Sequence, residues 1–537
     1  VSEAHGRAGS RAGLRGCAIP SSLRRAPFDA FPKMPGSPST LLSRWLAHAD
    51  EDSPLAYDAG GTTNWGKTVL AANRAASRLL GGRASLEGER VALMISPGAT
   101  FIATLFGVLR AGGTAVILSP LHPPPEAKYI CDDADVKTVV AAPDLIDSVA
   151  FLAPERRILP AERLLAGPIG QIAAPVGDGD PALQLYTSGT TGKPKGAILT
   201  HANLAVQQAL LGEAWGICAG DVLLHVLPLH HMHGLVIALL SAIGAGAATR
   251  FLGGARFDPR ATWDAMENAS VFMAVPTIHA KLFAAFDAAD GATRARWERA
   301  SRSLRLVTSG SAALPVTIGN RWRELTGAYP LERFGMTEIG VGISNPLAPP
   351  HRRPGTVGSP LRTVNLRVVG DDGRDADTGE LWISGPSVFA GYHGRVEATR
   401  DAFVFDGSER WFKTGDTVAR DPDDFVRVLG RTSVDILKSG GYKLSALEIE
   451  EALREHAAVA EVAVVGVPDA TWGERVVAYV VPVEGRDEEC SEERLRAFAK
   501  DRIAAYKVPR QVLLLRELPR NGLGKVMKSE LSKKPRG

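Results

Sequence analysis

From Thr63 onward the sequence alternates two textures, and that alternation constrains the fold more than any single motif does. "NWGKTVLAANRAASRLL" reads as a helix, whereas "ERVALMIS" is a short apolar run suited to a buried strand. "GATFIATLFGVLRAGGTAVIL" then reads as helix, turn and strand, and the rhythm returns in "VFMAVPTIHAKLFAAF" and "LRLVTSGSAALP". Such alternation implies an α/β chain with helices layered on a largely parallel sheet. Near Thr356 the texture changes to short, Gly-punctuated strands such as "LRVVGDDG" and "GELWISG", the mark of a smaller β-rich subdomain. After "RDPDDF" and "VRVLGRTSVDILKSGGYKLS" comes a tail with helices in "SALEIEEALREH" and "SEERLRAFAKDRI" around strands in "VAEVAVVGV" and "ERVVAYVVPV". That content is enough for a separate small α+β domain.

A chain of 537 residues is too long for one core, which agrees with this division. The net charge of +3 is spread along the chain and argues against nucleic acid as a partner, because that affinity needs clustered Lys and Arg. No apolar run reaches the roughly 20 residues that span a bilayer; the longest, Gly234 to Ala248, reads as a buried helix. Cys17, Cys131, Cys218 and Cys490 lack metal-ligand spacing and suit a reducing compartment. Residues 1–33 carry five arginines and one lysine against Glu3 and Asp29, a composition that suits an organelle transit peptide. A start at Met34 is the alternative reading. The expected location is mitochondrial, with cytoplasm or plastid as alternatives; oligomeric state is not legible.

"YTSGTTGKPKG", Tyr186 to Gly196, follows the strand-like "PALQLY". Backbone N–H groups and hydroxyls in such a loop can wrap phosphate oxygens, and Lys193 and Lys195 add charge. Its spacing is not that of the P-loop signature. The run "YTSGTTGKPKGAILTHANL" resembles the phosphate loop of the adenylate-forming superfamily, which comprises acyl-CoA synthetases, firefly-type luciferases and peptide-synthetase adenylation domains. The resemblance assigns Thr187, Ser188, Gly189, Thr190, Thr191, Gly192, Lys193, Pro194 and Lys195 to the nucleotide phosphates. It implies a large N-terminal AMP-binding domain over 34–430 and a small mobile C-terminal domain over 431–537.

Other motifs of that superfamily follow in order. "LERFGMTEIG" resembles the segment in which Thr337 meets the ATP phosphates and Glu338 holds Mg²⁺, a cation that prefers hard oxygen ligands. "WFKTGDTV" places Asp416, and "LGRTSVDILKSGGYKLS" places Arg431, where the resemblance implies ribose and phosphate contacts. "PRNGLGKVMK" supplies Lys525 as the implied catalytic lysine, and Gly440 and Gly441 match the loop that lines the pantetheine channel. Chemically, a carboxylate must attack the α-phosphate of ATP, so two anions are pushed together and cations must neutralise the charge that builds. The resemblance further implies a pivot of the C-terminal domain that presents coenzyme A for thioester formation, with Asp423 or Asp424 near the expected hinge.

The text between the shared motifs, notably "VLPLHHMHGLV", "SGSAALP", "LERFGMTEIG" and "GPSVFAGY", is similar to the malonyl-CoA synthetase branch. Malonate keeps one charged carboxylate while the other reacts, and burying it unpaired is prohibitive. Arg333 is the expected partner, since guanidinium engages carboxylate bidentately. Its alternative reading is an ion pair with Glu332 or a neighbouring acid. His231, expected in the active-site wall and counted among the catalytic groups with Thr337 and Lys525, joins His233, Ser309 and Ser311 as further donors. Methylmalonate is an expected second substrate, because one methylene changes pocket discrimination by only ~1–3 kcal/mol. Another acid–CoA ligase, a nucleotide-binding pseudo-enzyme and a carrier-protein loader are the alternatives.

Overall fold

The computed structural model describes residues 39–170, 172, 176–187, 194–253, 257–439, 442–469, 471–520 and 526–533. Two large sheets form its body. In the seven-stranded sheet, the strands Arg90–Met94, Thr114–Ile117, Thr138–Ala141, Arg157–Pro160 and Pro181–Thr187 pair in parallel. In the nine-stranded sheet, the parallel interior includes Val271–Ala274, Leu306–Ser309 and Leu331–Met336. Both sheets end in antiparallel hairpins, Pro181–Thr187 with Lys195–Thr200 in one and Leu331–Met336 with Gly340–Ser344 in the other.

Local sequence sets the helices that cover these sheets. Asn64 caps the helix Trp65–Leu80 by accepting the Lys67 N–H, and Gly81 closes it in the left-handed conformation at φ 54°. Its apolar stripe, with Trp65, Val69, Ala72 and Leu79, is buried, as an amphipathic helix requires. The apolar run from Gly234 is indeed buried helix, but His233–Leu240 winds as a π-helix before Ser241–Gly244 becomes α-helical. Periodicity could not show this, since every residue of that stretch is apolar or small and no face is marked; π turns are frequent at functional sites.

The β-rich texture after Thr356 becomes an antiparallel sheet ordered Asn365–Val369, Thr378–Ser384, Glu409–Arg420 and Phe403–Asp406, with Val426–Arg431 also paired to Glu409–Arg420. Its buried residues Val418 and Val426 belong to the body's core cluster. A second cluster starts at Leu437 and gathers Ile449, Leu453, Val476 and Val480; it lies in a C-terminal sheet built on Val459–Asp469 and Gly473–Pro482.

This division relocates the expected hinge. Asp423 and Asp424 lie in the turn of the hairpin formed by Glu409–Arg420 and Val426–Arg431, where Asp421 N–H donates to the Phe425 carbonyl at 2.9 Å. Both strands belong to the body, so a rotation there would tear one sheet. The chain passes between the two cores later, through residues 432–435. Among the described residues no helix is long and apolar enough to cross a membrane.

Candidate active site

The phosphate-loop hairpin brings Thr187 opposite Lys195 at the base of its loop. Pro194 is held there by its carbonyl, which accepts the Tyr129 hydroxyl at 2.8 Å. Ser188, Gly189, Thr190, Thr191, Gly192 and Lys193 lie outside the described residues, as do Gly440, Gly441 and Lys525.

Thr337 and Glu338 occupy the turn between Leu331–Met336 and Gly340–Ser344, Thr337 half-buried and Glu338 buried. A residue not singled out in the sequence joins the two hairpins. The short strand Gly391–Tyr392 pairs with Lys195–Thr200, the Tyr392 hydroxyl donates to Glu338 Oε1 at 2.8 Å, and Lys195 Nζ lies 5.2 Å from the centre of the Tyr392 ring. Burial pushes the Glu338 carboxyl above its ordinary pKa, while the Tyr392 hydrogen bond and the charges of Arg431 and Lys195 oppose that rise. Tyr392 is 54 residues from Glu338 in the chain, so no local spacing could have revealed it.

Asp416 and Arg431 face each other across antiparallel strands and form an ion pair at 3.3 Å. One Arg431 Nη also donates to the Thr414 carbonyl at 2.6 Å, which fixes the guanidinium, and Asp416 is buried. Among the described residues no group of three or more His, Cys, Asp or Glu side chains could hold a metal. Mg²⁺ does not need such a cage, because it is commonly bound by one or two carboxylates and substrate phosphates. Glu338, a buried carboxylate short of positive partners and beside the phosphate-loop lysine, fits that role.

A second group lies on the same strand. Arg333 is only 3 % exposed, yet its Nε and Nη2 have no hydrogen-bond partner among the described residues. Burial alone pulls its pKa from the ordinary guanidinium value down to about 9. Glu332 does not neutralise it: successive strand residues point to opposite faces, and the Glu332 carboxylate accepts the Gly355 N–H at 3.0 Å. Burial pushes that Glu332 carboxyl up to about 7.

Other polar atoms expected at this site are likewise unused. Ser309 Oγ, His231 Nε2 and His233 Nε2 are buried without hydrogen-bond partners among the described residues. Ser311 Oγ lies 3.4 Å from His233 Nδ1, and Ser311 adopts φ 70°, uncommon for a residue with a β-carbon. The Arg333 charge depresses His233, which burial already holds well below its ordinary pKa; burial holds His231 at about 4. Both rings are therefore neutral near pH 7, each offering one N–H and one lone pair. His231 also packs against His230, with ring centres 4.0 Å apart.

The site thus brings together Lys195 at the base of its hairpin, the buried carboxylate of Glu338, the Asp416–Arg431 ion pair and, on the strand that leads to Glu338, the buried cation Arg333. The chain belongs to the AMP-binding enzyme family, which matches residues 43–393, and the AMP-binding enzyme C-terminal domain matches residues 448–525. It is 39% identical over 492 residues to the mitochondrial malonate–CoA ligase ACSF3 of Homo sapiens, covering 83% of this chain and 83% of that one. It is 38% identical over 485 residues to a malonate–CoA ligase of Arabidopsis thaliana, covering 84% of this chain and 79% of that one. Among solved structures, ATP-bound MatB from Rhodopseudomonas palustris superposes with a TM-score of 0.83 at 32% identity, covering 93% of this chain and 99% of that one.

Proposed function

We propose that the protein is an ATP- and Mg²⁺-dependent malonate–CoA ligase. One malonate carboxylate attacks the α-phosphate of ATP, giving malonyl-adenylate and pyrophosphate; the thiol of coenzyme A then attacks the mixed anhydride, giving malonyl-CoA and AMP. The observation that carries the acid assignment is Arg333, a buried cation with Nε and Nη2 unused by any described residue. A buried unpaired charge is costly, and a ligand carboxylate that accepts from both nitrogens removes the cost. A monocarboxylic acid presents only an alkyl end to that guanidinium. The relatives named malonate–CoA ligase support the same reading.

The roles of the other residues follow from charge. Thr187 and Lys195 at the loop's base, with Ser188 to Lys193, hold the phosphates. Asp416 accepts from the ribose hydroxyls while Arg431 orients it. Mg²⁺, when bound, neutralises charge on the phosphate oxygens, and Glu338 with Thr337 would hold it there. Lys525, on the C-terminal domain, adds a cation to the leaving pyrophosphate during the first step only. His231, His233, Ser309 and Ser311 donate to the acyl carboxylates. Gly440 and Gly441 leave room for the narrow pantetheine arm. Methylmalonate, larger by a methyl, is a second substrate, and we place the protein in mitochondria by its likeness to the human enzyme.

A pyrophosphate-release screen with malonate, methylmalonate, acetate, octanoate and coumarate tests this. Malonate should give the highest kcat/KM, with methylmalonate next. Turnover of octanoate with malonate inert would overturn the acid assignment and leave an AMP-forming acid–thiol ligase of another branch.

A further inference from the structure

Gly310 ends the turn-facing edge of the strand Leu306–Ser309, whose parallel neighbour carries Arg333, with Ser309 in register with Glu332. A β-carbon on Gly310 would lie 2.4 Å from Arg333 Cζ, 2.5 Å from Nε and 2.9 Å from Nη1. The guanidinium therefore lies flat against bare backbone. Carbon atoms pack at about 3.5–4.0 Å, so any side chain at 310 would drive the guanidinium away by roughly 1 Å. Gly310 does not itself occupy the left-handed region, so backbone freedom is not what the glycine supplies. The steric demand comes from one side chain, Arg333.

We infer that Gly310 is a specificity-determining residue: by its missing side chain it sets where the Arg333 guanidinium sits, and so which acids can reach it. This rests on the malonate reading above. Three observations meet here. The guanidinium is buried and cannot swing into solvent. No described residue bonds its Nε or Nη2, so none of them otherwise fixes these nitrogens for a ligand. The chain turns through the left-handed region at Ser311 immediately after Gly310, bringing the Ser311 hydroxyl to His233 beside the same cation. Residues 310 and 311 thus bring a bare surface to one buried charge and a hydroxyl to the histidine beside it.

Gly310→Ala is tested alone and in an Arg333→Lys background, with kcat/KM measured for malonate and for propionate, which is shorter in charge by one carboxylate. Gly310→Ala alone should lower the malonate-to-propionate ratio by about tenfold to a hundredfold, mostly through the malonate KM, since a displacement near 1 Å can cost that much. In the Arg333→Lys background, where no planar fork meets the new methyl, the same change should move the ratio by less than about threefold, the non-additivity expected of touching residues. An equal factor in both backgrounds, or an unmoved ratio in the single variant, overturns the inference while leaving the malonate assignment intact. A wild-type protein that does not prefer malonate to propionate overturns both. Should Gly310→Ala not fold, Gly310→Ala with Arg333→Ala removes the clashing group and must regain a cooperative unfolding transition; failure to do so also refutes the contact as the reason for glycine.

Discussion

Replacing Arg333 with methionine should stabilise the free protein while destroying its use of malonate. Burial lowers the Arg333 pKa from its ordinary value to about 9, and among the described residues no acceptor engages Nε or Nη2. At about 1.36 kcal/mol per pKa unit, this corresponds to a penalty on the order of 5 kcal/mol for holding the charge there. Methionine keeps most of the apolar stem and fills irregular space. Replacing buried charge by apolar groups of similar size is commonly stabilising by about 1–4 kcal/mol, and that is the expected gain. The malonate kcat/KM should fall by roughly a hundredfold or more, the cost of removing one partner from a buried charge pair.

Two assays separate this from a general packing defect. Thermal unfolding without ligand should show a higher midpoint for Arg333→Met than for wild type. Added malonate should raise the wild-type midpoint, because a ligand that binds only the folded state stabilises it, and should leave the variant unmoved. A lower midpoint for the free variant together with an unchanged preference for malonate over propionate would refute the reasoning: Arg333 would then be a structural cation.

The remaining expectations concern the nucleotide end, the carboxyl pair and the domain junction. Tyr392→Phe removes the 2.8 Å bond to Glu338, worth about 1.5–3 kcal/mol for a charged acceptor, so half-maximal Mg²⁺ should rise about tenfold or more in pyrophosphate-release titrations. Glu332, pushed up from 4.5 to about 7, favours the fold when protonated; that contribution is full below pH 4.5 and lost as pH rises through about 7, so Glu332→Gln should flatten stability over that window in pH-dependent urea melts. Asp424 adopts φ 66°, so Asp424→Gly should leave both half-reactions intact in stopped assays, whereas Ser433→Pro, between the two cores, should slow thioester formation from supplied malonyl-adenylate. Lys525→Ala should cut adenylation by about a hundredfold and spare the second step, as judged by separate single-turnover measurements.

The parts legible in the sequence are those whose chemistry is local. A phosphate loop needs its hydroxyls and N–H groups consecutive, so Thr187 to Lys195 could be read as one word, and Arg333, Thr337 and Glu338 fall within six residues. The helix Trp65–Leu80 and the strand Arg90–Met94 follow from patterns of their own residues. What stayed hidden depends on distant chain meeting in space. Tyr392 reaches Glu338 only because a two-residue strand joins the far edge of a sheet. The sequence likewise does not show what the charges of "PPHRRPGTVGSP" do. Arg352 in fact donates to the carbonyls of Tyr329, Pro346 and Leu347, and Arg353 pairs with Asp421 and Asp423, bracing the very turn taken for a hinge.

One short hairpin carries both Arg333 and Glu338, the residues proposed to hold the acid and the cation, and the two stand in different settings. Arg333 lies in the strand Leu331–Met336, whereas Glu338 lies in the turn beyond its end, so strand alternation alone does not set their relative directions. Both are buried, at 3 % and 5 % exposure. The pairing of Leu331–Met336 with Gly340–Ser344 slips in register between Phe334 and Gly335, which is how a bulge re-aims a side chain. Gly335 permits the slip, since a β-carbon there would lie 2.2 Å from the Gly340 carbonyl oxygen, an atom of the backbone that cannot move without opening the hairpin. The bulge and the turn after it therefore lie between Arg333 and Glu338 and set where the two side chains stand relative to each other. A rigid link of this kind suits a reaction in which a three-carbon acid must meet the α-phosphate with its far end already anchored, because the entropy of orienting it is spent by the fold rather than at the moment of attack.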